Sequence, residues 1–136
     1  MMAGCDDPPP AGLLAGIELF NAREFYECHE VLEEIWLAEP EHIRTLYQGI
    51  LQVGVAFYHL GRGNFRGATS LLETGITYLR AFTPRCMGVD VQRLVEDSIH
   101  AYAELQRLGK ERIAEFDAGL IPRVERERAD SSLRSD

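Results

Sequence analysis

Apolar residues recur along this chain at the spacing of three and four that one face of an α-helix needs, and they do so in five successive blocks. Leu13, Leu14, Ile17 and Phe20 make the first stripe. Asn21 with Glu24 three residues on has the form of a capping box, and Phe20 and Phe25 flank it as a hydrophobic staple would, so a second helix should start there and run to about Ala38, before Pro40. Thr45 to Gly61 contains no charged residue, which marks the central, most buried helix. Gln48, Gln52, His59 and two tyrosines interrupt that run, and it is too short for a bilayer, so it is not read as a membrane span. Asn64 is placed to cap a fourth helix carrying Phe65, Ala68, Leu72, Ile76 and Leu79, broken by Pro84 and Gly88. Asp90 is placed to cap a fifth, with Val91, Leu94, Val95, Tyr102 and Leu105 inward.

No segment alternates with period two, so the pattern predicts an all-α, single-domain bundle of about five helices with short antiparallel connections. Residues 1–10, with Asp6-Asp7-Pro8-Pro9-Pro10, read as a flexible lead-in; residues 11–118 as the bundle; and residues 119–136, charge-dense and without apolar periodicity, as a disordered tail.

Composition narrows the function classes. The chain of 136 residues is 46% hydrophobic and 26% charged, the balance of a globular domain. Its 22 acidic and 14 basic residues give a formal charge of −8, and no basic stripe interleaves with aromatics, so nucleic acid is not an expected partner. Three cysteines, Cys5, Cys28 and Cys86, without a Cys-x-x-Cys spacing, point to a reducing cytoplasm rather than to a disulfide framework or zinc finger. Met2-Ala3-Gly4-Cys5 lacks the charged and apolar segments that a targeting signal places before such a sequence. Neither a Gly-rich phosphate loop nor a strained nucleophile turn is present.

The chemistry concentrates in Phe25 to Trp36. At about 100° per residue, Phe25, Cys28, Leu32, Ile35 and Trp36 share the core face, with His29 at its edge. Glu33 lies one turn from His29, and Glu27, Glu30 and Glu34 point outward. Cys28 faces the core and reads as an inert small hydrophobe, since the adjacent His29 projects elsewhere. The motif His29-Glu30-x-x-Glu33 has two readings. In one, His29 and Glu33 ligate a divalent ion (zinc, manganese or iron), His59 or Gln52 completes the shell, and Glu30 is the base of a hydrolase-like reaction. In the other, His29 is a partly buried packing residue held by Glu33. On the central helix Gln48, Gln52, Val55 and His59 form one strip that must face something polar: solvent, or His29 and Glu33. The second option gives a polar pocket between the second and central helices, lined by His29, Glu33, Gln48, Gln52 and His59 and walled by Tyr26, Trp36 and Tyr47. A small molecule or a protein would be its partner, and a purely structural or interaction bundle is the remaining alternative. Oligomerisation with further copies of the chain is left open, and no membrane partner is expected.

The stretch Phe20-Asn21-x-x-x-Phe25-Tyr26-Glu27-x-His29-Glu30-x-Leu32-Glu33-x-x-Trp36, followed by Gln48-Gly49-x-x-Gln52 and Gly63-Asn64-x-x-Gly67-Ala68, resembles domain-of-unknown-function family 309. The likeness continues through Leu71-Leu72 to Gly88-Val89-Asp90 and covers about Leu13 to Leu105. It implies an all-helical bundle and nominates His29, Glu30, Glu33, Trp36, Gln48 and Gln52 as a signature, without an activity or substrate. Cys28 departs from the small residue, often alanine, that the family pattern implies there.

Overall fold

The computed structural model of the chain describes residues 4–127, and five α-helices make most of it. They are α1 (Ala11–Asn21), α2 (Phe25–Ala38), α3 (Arg44–Gly61), α4 (Phe65–Leu79) and α5 (Val91–Leu108). Each of the first four packs on the next in sequence, and α5 closes against α4. One core holds them, centred on Leu13, Phe20, Leu32, Leu46, Ile50, Leu72, Leu79, Leu94 and Leu105, all buried. These are the inward stripes of the sequence, and the fold is the expected all-α bundle. Among the described residues no helix is long and apolar enough to cross a membrane.

Two of the three expected caps form. Asn64 Oδ1 accepts from the Gly67 amide at 2.9 Å, and Asp90 Oδ1 from the Arg93 amide at 2.9 Å. The staple is present too, with the Phe20 and Phe25 rings 5.4 Å apart, edge to face. The capping box is not. Asn21 ends α1, and Glu24, the residue before α2, makes no side-chain cap. Asn21 turns instead to the other end of the chain: its amide nitrogen donates to the Val124 carbonyl at 3.0 Å and its oxygen accepts from the Val124 amide at 2.8 Å. A two-bond clamp on an extended backbone satisfies the side chain more fully than one helical N–H can.

The seam between α3 and α4 is close because glycines face it. A Cβ on Gly75 would lie 3.1 Å from the Gly49 carbonyl oxygen and 3.2 Å from the Val53 amide nitrogen, so the two backbones touch where any side chain would hold them apart.

Between α4 and α5 the expected break is a small β-hairpin. Strands β1 (Arg85–Cys86) and β2 (Val89–Asp90) pair antiparallel, joined by Met87 and Gly88 with φ of 52° and 75°. Positive φ at both central residues is the signature of a two-residue hairpin turn. Strands of two residues are too short to show alternation, which is why no strand was expected.

Both segments expected to be loose are attached to this hairpin. Cys5 is disulfide-bonded to Cys86 across 81 positions, and its carbonyl accepts from the Met87 amide at 2.8 Å. This corrects the flexible lead-in and the expectation of unpaired cysteines; cysteines so far apart leave no spacing signature to read. At the other end, the Asp90 amide donates to the Glu125 carbonyl at 2.9 Å and the Glu127 amide to the Gly88 carbonyl at 2.6 Å. Pro122 and Val124 are buried while Arg123 and Arg126 are exposed, an alternation that suits extended chain and carries no helical period. The tail expected to be disordered from residue 119 is thus packed as far as Glu127. The rest of those two expectations falls on residues 1–3 and 128–136, which lie outside the described residues.

Candidate functional site

α2 and α3 run antiparallel, as two contacts at opposite ends show: Tyr26 meets Tyr58 with ring centroids 6.0 Å apart, and the Arg44 guanidinium sits 5.4 Å from the centre of the Trp36 ring. Unlike the α3–α4 seam, this one is filled by aromatic rings. Phe25 and Phe57 also meet, at 6.1 Å.

A cavity of about 160 Å³ opens between these helices, lined by Phe25, Tyr26, His29, Val55, Tyr58 and His59. It brings together three of the eight residues expected in a pocket: Tyr26, His29 and His59. Its walls are otherwise apolar, so the expected polar pocket is in fact a small, mainly apolar one with imidazoles at its edge. His59 is held in place from the next turn. Asn64 spends its carbonyl oxygen on the Gly67 amide, so its NH2 faces His59 Nδ1 at 3.1 Å and donates to it, which leaves the ring proton on Nε2.

The other five do not line that cavity. Helical rise explains why: Trp36 stands ten residues beyond Tyr26 and Gln48 eleven before His59, each about 15 Å along its axis, too far for one small cavity. Trp36 stacks instead on Arg44, whose Nε is buried without a hydrogen-bond partner. Gln52 Oε1 is likewise buried and unpaired. On the antiparallel register Gln52 comes level with the turn holding His29 and Glu33. Tyr47, also expected as a wall, is buried in the core, where its hydroxyl reaches the Met87 sulfur at 3.7 Å.

His29 Nε2 and Glu33 Oε2 are 3.8 Å apart, beyond hydrogen-bond length, with side chains 34% and 44% exposed. Glu30 points to solvent. Among the described residues no group of three or more histidine, cysteine, aspartate or glutamate side chains converges. The donor set for the metal reading, built on His29 and Glu33, is therefore not assembled there, and the two side chains are partly exposed neighbours on one helix face. Cys28 is buried, its thiol donating to the Gly16 carbonyl at 3.3 Å, and desolvation pushes it up to about 12, which makes it a poor nucleophile.

A larger cavity, of about 850 Å³, lies on the far side of Phe25 and Tyr58, which line both. Its second wall comes from beyond α5: Gly109, with φ of 74°, ends that helix, and the chain continues through 3-10 turns that present Ile113, Ala114, Phe116, Ala118 and Ile121. Phe57 and Phe116 approach across it at 6.4 Å. Its rim carries Arg23, from the α1–α2 turn, and Arg62, from the α3–α4 turn, with Arg62 5.7 Å above the Tyr58 ring. Arg23 has φ of 66° and donates to the carbonyls of Pro122 and Ile121 at 2.9 and 3.3 Å. Sequence reasoning missed this cavity because its outer wall is irregular chain. The signal available was three large apolar residues, Ile113, Phe116 and Ile121, in an otherwise charged stretch.

The chain is similar to other proteins. An uncharacterised protein of Bacillus subtilis (strain 168), YpuF, is 36% identical over 93 residues, 66% of this chain and 53% of its own length. An uncharacterised protein of Aquifex aeolicus (strain VF5) is 26% identical over 86 residues, 62% of this chain and 24% of its own length. The chain thus spans about half the length of the first and about a quarter of the second. A family model matches from Leu13, in α1, to Leu71, in α4, so it takes in the α2–α3 walls of both cavities and stops short of the outer wall. That model is described as a domain of unknown function, DUF309, and the chain is similar to it over residues 13–71.

Proposed function

We propose that this chain binds a small molecule in the cleft between α2, α3 and the chain that follows α5. The observation that carries the reading is the pair of cavities meeting at Phe25 and Tyr58, the larger of about 850 Å³. That volume falls in the range of small-molecule sites, which are mostly apolar with a few polar groups placed at their edges. Here the polar groups are Tyr26, His29 and His59 at one end and Arg23 and Arg62 at the other. A binding role fits better than hydrolysis, because Glu30 stands in solvent and among the described residues no ligand set stands beside it to activate a water.

The test is a fragment screen followed by amide chemical shifts. Hits are expected to perturb Phe25, Tyr58, Ile113 and Phe116 together, residues from three separate stretches of the chain, and Ile113→Glu should remove the effect. Hits that cluster elsewhere, or that survive Ile113→Glu unchanged, would sink the proposal.

A further inference from the structure

We infer that the ligand of this cleft is a single-headed organic anion with an apolar body, such as an alkyl or aryl carboxylate; the inference rests on the binding reading above. The larger cavity counts Arg23 and Arg62 among its lining residues and no aspartate or glutamate. In a chain of formal charge −8 that is a local reversal of sign. Five arginine–carboxylate ion pairs form among the described residues, through Arg85, Arg93, Arg107, Arg112 and Arg123, and neither Arg23 nor Arg62 is in one.

The two arginines are also held. Arg23 is fixed by the Ile121 and Pro122 carbonyls, which accept from its two terminal nitrogens. Its burial and the neighbouring Arg123 both lower its hold on its proton, in that order. Arg62 lies over Tyr58, which directs it across the ring that divides the two cavities. A guanidinium fork suits a carboxylate, and losing water from a charged head is tolerable only where such a partner waits. Below the rim, Phe25, Phe57, Leu60, Ile113 and Phe116 offer nothing to a second charge. A polyphosphate or a sugar would leave those walls uncovered and its own polar groups unpaired, whereas a chain or ring system bearing one head satisfies both parts.

Titration calorimetry with decanoate, decan-1-ol and decyltrimethylammonium, each below its self-association concentration, tests this. Decanoate is expected to bind at least about tenfold more tightly than the cation, the scale of one charge-assisted hydrogen bond. Arg62→Gln, an exposed turn position, should weaken decanoate by about the same factor and leave decanol unchanged, with Arg62→Lys intermediate. Equal affinity for decanoate and the cation would overturn the anion inference while leaving the cleft a binding site. Binding of none of the three would overturn both. Decanoate affinity indifferent to Arg62→Gln, in protein shown folded by circular dichroism, would put the head group elsewhere and overturn the assignment.

Discussion

α3 has two long neighbours and meets them differently. Toward α4 it presents Gly49, which receives Leu79, and Gly75 of α4 lies against its backbone, so that the helices interlock. Toward α2 it presents Val55, Tyr58 and His59, opposite Phe25, Tyr26 and His29, and cavities remain between the rings. The difference comes from size and shape. A residue without a side chain lets one backbone descend into the groove of the next, whereas facing aromatics set a wide spacing that smaller groups cannot fill. One seam is built for stability and the other leaves space that a ligand can use.

The largest expected effect concerns the tight side of α2, where Cys28 is sealed against α1. Its thiol is raised from 9.0 to about 12, so between those values the unfolded chain loses a proton that the folded chain keeps. Stability must therefore fall as pH rises through that window, by roughly 4 kcal/mol at its upper end for this group. Urea melts of wild type and Cys28→Ala should diverge in slope against pH only above about 9; parallel slopes would mean that the α1–α2 face admits water. Leu79→Ala, which empties the tight α3–α4 seam, should cost about 3 kcal/mol in the same melts. Gly75→Val overfills that seam and should cost about 2 kcal/mol. A variant as stable as wild type would show that the backbones are not in contact. At the loose seam, Tyr58→Ala enlarges space that already exists, and about 1 kcal/mol is expected, well under the usual loss for a buried aromatic. A loss equal to that of Leu79→Ala would erase the contrast. His29→Gln should change the midpoint by less than about 0.5 kcal/mol, since its pairing with Glu33 is half in solvent.

What could be read in the sequence was what depends on near neighbours. The stripes that form the core, the Asn64 and Asp90 caps, the Phe20–Phe25 contact and the burial of Cys28 all follow from residues within one or two turns of each other. What could not be read depends on distant partners. Asn21 has the composition of a local cap, but its partner is 103 positions away. Cys5 and Cys86 carry no spacing signal, and Val124 is buried by a packing that periodicity cannot register. The candidate site divides along the same line. Tyr26, His29 and His59 were found because one pair of adjacent helices brings them together; Arg23, Ile113 and Phe116 were not, because their neighbourhood is assembled by the return of the chain after α5.

The hairpin at Met87 and Gly88 gives the molecule a mechanical polarity. The segment around Cys5 is fastened to Met87 by a hydrogen bond and to Cys86 by a covalent bridge, while Glu127 is fastened to Gly88 and through its carboxylate to Arg85 at 2.7 Å. Tension applied at Cys5 and Glu127 would therefore converge on four consecutive residues before any helix felt it. The arm at Cys5 would hold through its bridge, and the arm at Glu127, secured by non-covalent bonds alone, would peel first. Peeling would next pull Val124 from the Asn21 clamp and the Pro122 and Ile121 carbonyls from Arg23, so a load on that arm would unroof the larger cavity while leaving the bundle standing.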